Sequence, residues 1–311
     1  MKTKKQEILA KVVETLHNKL SSCDICPRVC GVNRLEDQKG FCKTGSRPEV
    51  SGYEPHFGEE ACLVGKKGSG AIFFTGCNLS CVFCQTFEIS QLHQGAVISD
   101  RALADIMLEL REQGCHNLNL VTPSHQVASI VKALEIAISR GFDLPVVYNT
   151  GGYDSVETLE LLEGIVDIYV PDFKVWDKDV AARIIGARDY PEVAKMAIKE
   201  MHRQVGELVL DQDGLAKKGL LVRHLVLPGG LSGTEKVLEF IVNEVSKDTY
   251  LNLMGHYHPY GLANDHPPLD RNLYKEEFMS ALKLCDSLGL KRLDTTHHGL
   301  LDLILRSRPS E

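Results

Sequence analysis

No run in this sequence approaches the roughly eighteen consecutive apolar residues that a membrane-spanning helix needs, so a helical bilayer span is excluded. The opening Met1-Lys2-Thr3-Lys4-Lys5-Gln6-Glu7 lacks the apolar core of a secretion signal, so a cytoplasmic protein without a membrane partner is expected. Basic charge is not in surplus either. The 35 Lys and Arg stand against 42 Asp and Glu, and a net charge of −7 offers no broad attraction to a nucleic acid, so none is expected as a partner. What is present is the composition of a globular protein, 43% apolar and 25% charged over 311 residues, long enough for one large α/β barrel or two smaller domains.

The ten cysteines are the unusual resource. In a reducing compartment they favour metal ligation over disulfides, and seven of them fall in two tight groups. Cys77, Cys81 and Cys84 stand at C-x3-C-x2-C after an apolar, strand-like run, among the loop formers Gly76, Asn78 and Ser80. A structural zinc site would show a fourth ligand, usually in a second pair nearby, and none follows. Three thiolates hold three irons of a [4Fe-4S] cube and leave the fourth iron without a protein donor, open to a small molecule. Cys23, Cys26, Cys30 and Cys42 form the second group, in a segment turned by Gly31, Gly40 and Gly45. Four thiolates make a closed site that suits zinc or an auxiliary iron–sulfur cluster, and spacing does not choose between them. The isolated Cys62, Cys115 and Cys285 read as small buried hydrophobes.

Apolar runs rich in β-branched residues alternate with amphipathic stretches. Strands are expected at 71–75, 117–121, 145–149, 165–170, 220–227 and 250–254, each short enough to be buried on both faces. Helices are expected at 99–113, closing at Gly114, at 125–140, closing at Gly141, after Pro191 and at 275–287. The stretches Asp154-Ser155-Val156-Glu157 and Ser232-Gly233-Thr234-Glu235 read as capping boxes. Six alternations predict an α/β fold, a partial (β/α)6 TIM-like barrel of parallel strands, with a doubly wound open sheet as the alternative. The expected organisation is an N-terminal helix and Cys-rich segment (1–66), the barrel (67–295) and a C-terminal tail (296–311). The loops after the strand ends would then share one rim: the cysteine loop, Thr122-Pro123-Ser124-His125, Thr150-Gly151-Gly152, Asp172-Phe173-Lys174, Pro228-Gly229-Gly230 and His256-Tyr257-His258.

With C-x3-C-x2-C and Phe83 before its last cysteine, the chain resembles the radical SAM superfamily. Tyr148-Asn149-Thr150-Gly151-Gly152-Tyr153 and Asp167 to Lys174 resemble, more narrowly, the uncharacterised iron–sulfur relatives of pyruvate formate-lyase activating enzymes. The resemblance implies a [4Fe-4S] cluster on Cys77, Cys81 and Cys84, with S-adenosylmethionine (SAM) chelating the open iron. Reductive cleavage would give methionine and a 5′-deoxyadenosyl radical that abstracts hydrogen, with flavodoxin or ferredoxin as electron donor. The substrate would be a protein, as in glycyl-radical activation, or a small molecule or peptide; a non-catalytic electron carrier is the reading from another class. By the same resemblance Asn149, Thr150, Gly151, Asp172, Lys174, Arg223 and His224 belong near SAM. Relatives carry Gly-Gly-Glu after the second strand, where this chain has Thr122-Pro123-Ser124, so Thr122 and Ser124 are the candidates for holding the SAM amino group.

Overall fold

The computed structural model describes residues 4–294, and the tail expected at 296–311 lies outside the described residues. The first helix, α1 (Lys4–Lys19), precedes the Cys-rich turns and strand β1 (Glu49–His56). Then come α2 (Ala61–Val64), β2 (Ser69–Phe74), α3 (Phe87–Ser90), β3 (Ala96–Val97), α4 (Asp100–Glu112), β4 (Leu118–Val121), α5 (Val127–Ser139) and β5 (Val146–Thr150). The second half supplies α6 (Val156–Leu161), β6 (Ile168–Pro171), α7 (Lys178–Ile184), α8 (Tyr190–Val205), β7 (Val209–Leu210), β8 (Ala216–Leu225), α9 (Thr234–Phe240), β9 (Tyr250–Met254) and α10 (Lys275–Ser287).

Strands β2, β4, β5, β6, β8 and β9 lie side by side in that order, every neighbouring pair parallel. They are the six strands expected from the apolar runs, and they form the curved parallel sheet of a partial barrel. Its edge is extended by a strand that the alternation does not announce: β1 pairs antiparallel with β2, and β3 with β1. Thus β1, although inside the segment expected as a separate N-terminal piece, belongs to the barrel's sheet.

The parallel strands need covering helices, and the helices supply apolar faces. In α5 the side chains of Val127, Ile130, Val131 and Leu134 are buried, each worth about 1.5–3 kcal/mol of transfer from water. Ser99 caps α4 by accepting from Ala102 N, and Pro191 sits in the first turn of α8, as the sequence leads one to expect. Both expected capping boxes give way to tertiary bonds. Ser155 makes no capping bond, and Ser232 accepts from Leu227 N while Gly233, left-handed, occupies the cap of α9. Cys62, Cys115 and Cys285 are buried in the apolar interior.

Candidate functional site

The strand ends open onto a cavity of about 340 Å³. That volume lies within the roughly 300–1,000 Å³ of small-molecule sites. Cys77, Cys81 and Cys84 line it, together with Thr122, Asn149, Thr150, Gly151, Asp172, Lys174 and Arg223. Residues from five loops and strands are therefore gathered on one rim, which is what a parallel barrel does with the segments that follow its strands.

The cysteine loop starts at Gly76, whose φ of +81° is glycine territory. Its backbone is tied down on two sides. Ser80 N donates to Ile185 O at 3.1 Å and Val82 N to Ile184 O at 2.9 Å, so the loop satisfies carbonyls at the end of α7 that the helix itself leaves unpaired. Asn78 donates through Nδ2 to Tyr153 O at 2.6 Å, joining the loop to the turn after β5. Phe83 packs edge-on against Tyr257, ring centres 6.2 Å apart, and fixes the last cysteine's neighbour in the core. The thiols already receive sulfur-directed bonds: Leu79 N donates to Cys77 Sγ at 3.3 Å, and Ser90 Oγ lies 3.1 Å from Cys84 Sγ. Burial pushes the Cys77 thiol up to about 12 and raises Cys81 as well, so these sulfurs stay protonated until a cation takes the proton's place. Among the described residues no three His, Cys, Asp or Glu side chains converge on a point that would hold a single ion. A cube of irons asks for something else, one thiolate per iron, and three sulfurs along one end of the cavity suit that donor set.

Directly after β6, the extended chain turns Asp172 and Lys174 into the cavity and Phe173 out, into an aromatic group with Trp176, Tyr190 and Phe240. Lys174 Nζ stands 2.5 Å from Asp172 Oδ2. Burial works against the Lys174 charge, but Asp172 outweighs it and holds the ammonium above its ordinary range. The same alternation on β8 separates Arg223 from His224. Arg223 lines the cavity; His224 is fully buried on the other side, within 2.6 Å of Phe173 O and 2.9 Å of Thr234 Oγ1. Burial depresses His224 to about 4, so it is a neutral core histidine away from the cavity wall. Ser124 is also buried off the wall, its hydroxyl 3.0 Å from that of Thr150. Thr150 in turn donates to Asp154 Oδ2 at 2.6 Å, and Tyr148 to Oδ1 at 3.1 Å. Thr122 does line the cavity, at a φ of +61°, a costly conformation for a β-branched residue.

The sequence reading did not anticipate Glu59 and Glu60. Both reach the cavity from the segment before α2 and pair with Arg223. Glu60 accepts from Arg223 Nε at 2.7 Å and Nη2 at 2.6 Å and from Asn252 Nδ2 at 2.7 Å, while Glu59 accepts from Asn119 Nδ2 at 3.1 Å. Two adjacent acids that follow none of the expected strands carry no signal in the sequence. Only the fold brings them beneath β8. Of the histidines considered at the end of β9, His256 lines the cavity, whereas His258 is exposed beside Tyr260.

Residues 71–211 match the family model of the radical SAM superfamily. The chain is also 33% identical over 299 residues to the uncharacterised protein MJ0674 of Methanocaldococcus jannaschii, covering 92% of this chain and 80% of that protein. The chain belongs to the radical SAM superfamily. Members of this superfamily cleave SAM reductively with an iron–sulfur cluster, so the family implies a [4Fe-4S] cluster and SAM as cofactors. Similar folds include a radical SAM methyltransferase from Sphaerobacter thermophilus, 14% identical, TM-score 0.48, covering 71% of this chain and 64% of that one, slightly under two thirds of its length. Native anSMEcpe with bound AdoMet is 12% identical, TM-score 0.48, covering 76% of this chain and 66% of that one. Among the described residues of this radical SAM protein, no helix is long and apolar enough to cross a membrane.

Proposed function

We propose that Cys77, Cys81 and Cys84 are the protein ligands of the [4Fe-4S] cluster and that the cavity beside them binds SAM. The observation that carries this is the convergence of those three cysteines with Thr122, Asn149, Thr150, Gly151, Asp172, Lys174 and Arg223 around one cavity. Bound there, cluster and SAM together supply one-electron cleavage of the sulfonium and a hydrogen-abstracting radical.

The chain's own residues bind, orient and shield. No carboxylate follows β4, so the methionine amino group is received by the segment after it, whose left-handed Thr122 lines the cavity. Asn149 is held at the wall by Arg223, whose Nη1 donates to Asn149 Oδ1 at 3.3 Å. Asp172 and Lys174 offer a carboxylate and an ammonium for the polar ends of the nucleotide. Ser124 and His224 act from behind, Ser124 by fixing Thr150 and His224 by tying β8 to the turn after β6. Hydrogen abstraction from a protein glycine, as in glycyl-radical activation, is the substrate reading supported by the resemblance in Tyr148–Tyr153 and Asp167–Lys174. The electron is supplied by a small one-electron carrier such as flavodoxin or ferredoxin, and Cys23, Cys26, Cys30 and Cys42 hold a further metal centre.

Anaerobically reconstituted protein given dithionite and SAM is expected to release 5′-deoxyadenosine. Loss of that product in Cys77→Ala, Cys81→Ala and Cys84→Ala supports the assignment, and unchanged release in all three overturns it. For the substrate, a glycine-centred radical signal in a partner polypeptide after incubation with the reduced enzyme is the expected result; hydrogen drawn instead from a small molecule would replace that reading.

A further inference from the structure

Cys23, Cys26, Cys30 and Cys42 line one small hollow, together with Arg28 and Asn78. We infer that these four cysteines hold a second iron–sulfur cluster, hydrogen-bonded by Arg28 and packed directly against the loop that carries the first. This deepens the reading of the four cysteines as a metal site and rests on the first cluster only for its location.

The hollow is built for sulfur. Gly40 has no side chain because a Cβ there would stand 2.7 Å from Cys30 Sγ, and Phe41 N donates to that sulfur at 3.4 Å. Thr44 Oγ1 lies 3.1 Å from Cys42 Sγ, and Arg34 Nη1 lies 3.8 Å from Cys23 Sγ. Arg28 Nη2 is buried without a hydrogen-bond partner, and a buried guanidinium N–H left unpaired is costly. An anionic sulfur centre in the hollow supplies the missing acceptor. Val29, between Cys26 and Cys30, and Lys43, directly after Cys42, have φ of 41° and 57°, a strained region that persists where the surroundings over-determine it. A metal centre gripping both flanking cysteines would do so.

A four-cysteine site also takes zinc, and the metal content of the reconstituted chain separates the two.

Three contacts join this hollow to the first cluster's loop. A Cβ on Gly76 would stand 2.7 Å from Cys42 O, so the residue before Cys77 lies against the backbone of Cys42. Arg28 Nε donates to Asn78 O at 2.8 Å, just after Cys77. His125 Nε2 lies 2.8 Å from Thr75 O, while Arg34 Nη1 donates to His125 O at 2.8 Å.

The test is iron and acid-labile sulfide per full-length chain after anaerobic reconstitution, with reduced-state electron paramagnetic resonance. Two cubes predict about eight irons in the natural chain and about four in the Cys77→Ala/Cys81→Ala/Cys84→Ala variant. Cys23→Ala/Cys42→Ala should also keep about four, with the first cluster's signal and its response to SAM retained. Arg28→Gln, which leaves all ligands in place, should keep the iron but lower the second centre's reduction potential, because a cationic donor favours the more negative reduced state. About four irons in the natural chain that Cys23→Ala/Cys42→Ala retains, or tightly held zinc that disappears with Cys23 and Cys42, overturns the inference. An unmoved potential in Arg28→Gln overturns the role of Arg28. Were the three-cysteine reading to fail instead, the natural chain would hold about four irons, all kept in the triple variant and all lost in Cys23→Ala/Cys42→Ala.

Discussion

Arg223 grips Glu60 with two bonds, Nε to Oε1 at 2.7 Å and Nη2 to Oε2 at 2.6 Å, and so ties β8 to a segment 163 residues earlier in the chain. Burial alone would raise the Glu60 carboxyl, but the guanidinium reverses this and holds it below its ordinary value. Removing Arg223 leaves a carboxylate buried without its counter-ion, so Arg223→Met is expected to cost about 3–5 kcal/mol in denaturant unfolding. Because the folded-state value is depressed, the pair's stabilisation is present above the ordinary carboxylate pKa and is lost as pH falls through the lowered one. Glu60→Gln should flatten that acid limb of a stability–pH curve; an unchanged limb would show that other carboxylates carry it.

Asp154 behaves oppositely. It is buried without a cation, and burial raises its carboxyl even though Thr150 and Tyr148 donate to it. Its contribution is complete below the ordinary carboxylate value and declines as pH rises through the raised one. Asp154→Asn is expected to remove that decline, at a cost in acid of about 1 kcal/mol for the acceptor lost. Thermal unfolding across the acid and neutral range checks both signs.

Thr122 stores backbone strain at the cavity wall. Thr122→Gly should raise stability by about 1 kcal/mol, the relief of a left-handed β-branched residue less the entropy that glycine adds to the unfolded chain. The same change removes a wall hydroxyl and loosens the turn, so calorimetric SAM affinity is expected to fall. A gain in stability with unaltered affinity would separate Thr122 from the amino-group site.

Gly186 packs against Ser80 of the cysteine loop. A Cβ there would lie 2.0 Å from Ser80 Oγ, and its φ is +69°. Gly186→Ala should turn the Ser80 hydroxyl away and strain the left-handed turn behind the loop, and chelator removal of iron from the first cluster should run several-fold faster than in the natural chain. Equal rates would mean that the loop is fixed elsewhere.

Much of the barrel is legible in the sequence because each buried parallel strand reads as an apolar run and each covering helix repeats at three and four residues. The runs at 117–121 and 145–149 correspond to β4 and β5 within a residue at each end. β1 escapes that reading: Glu49-Val50-Ser51-Gly52-Tyr53-Glu54-Pro55-His56 has no clean alternation, and it is a strand because β2 offers it an edge. Site legibility follows the same division. Loops after strands announce their positions, and alternation along one strand explains how Arg223 lines the cavity while its neighbour His224 does not. Glu59 and Glu60 come from a segment without pattern, and no local signal ties them to Arg223.

The open iron is tested most directly by electron paramagnetic resonance of the reduced first cluster, recorded with and without SAM in the Cys23→Ala/Cys42→Ala variant. A cubane signal that shifts on adding SAM is expected, and that shift disappears in Cys81→Ala. A fully thiolate-ligated cluster whose signal SAM leaves unchanged would contradict the assignment.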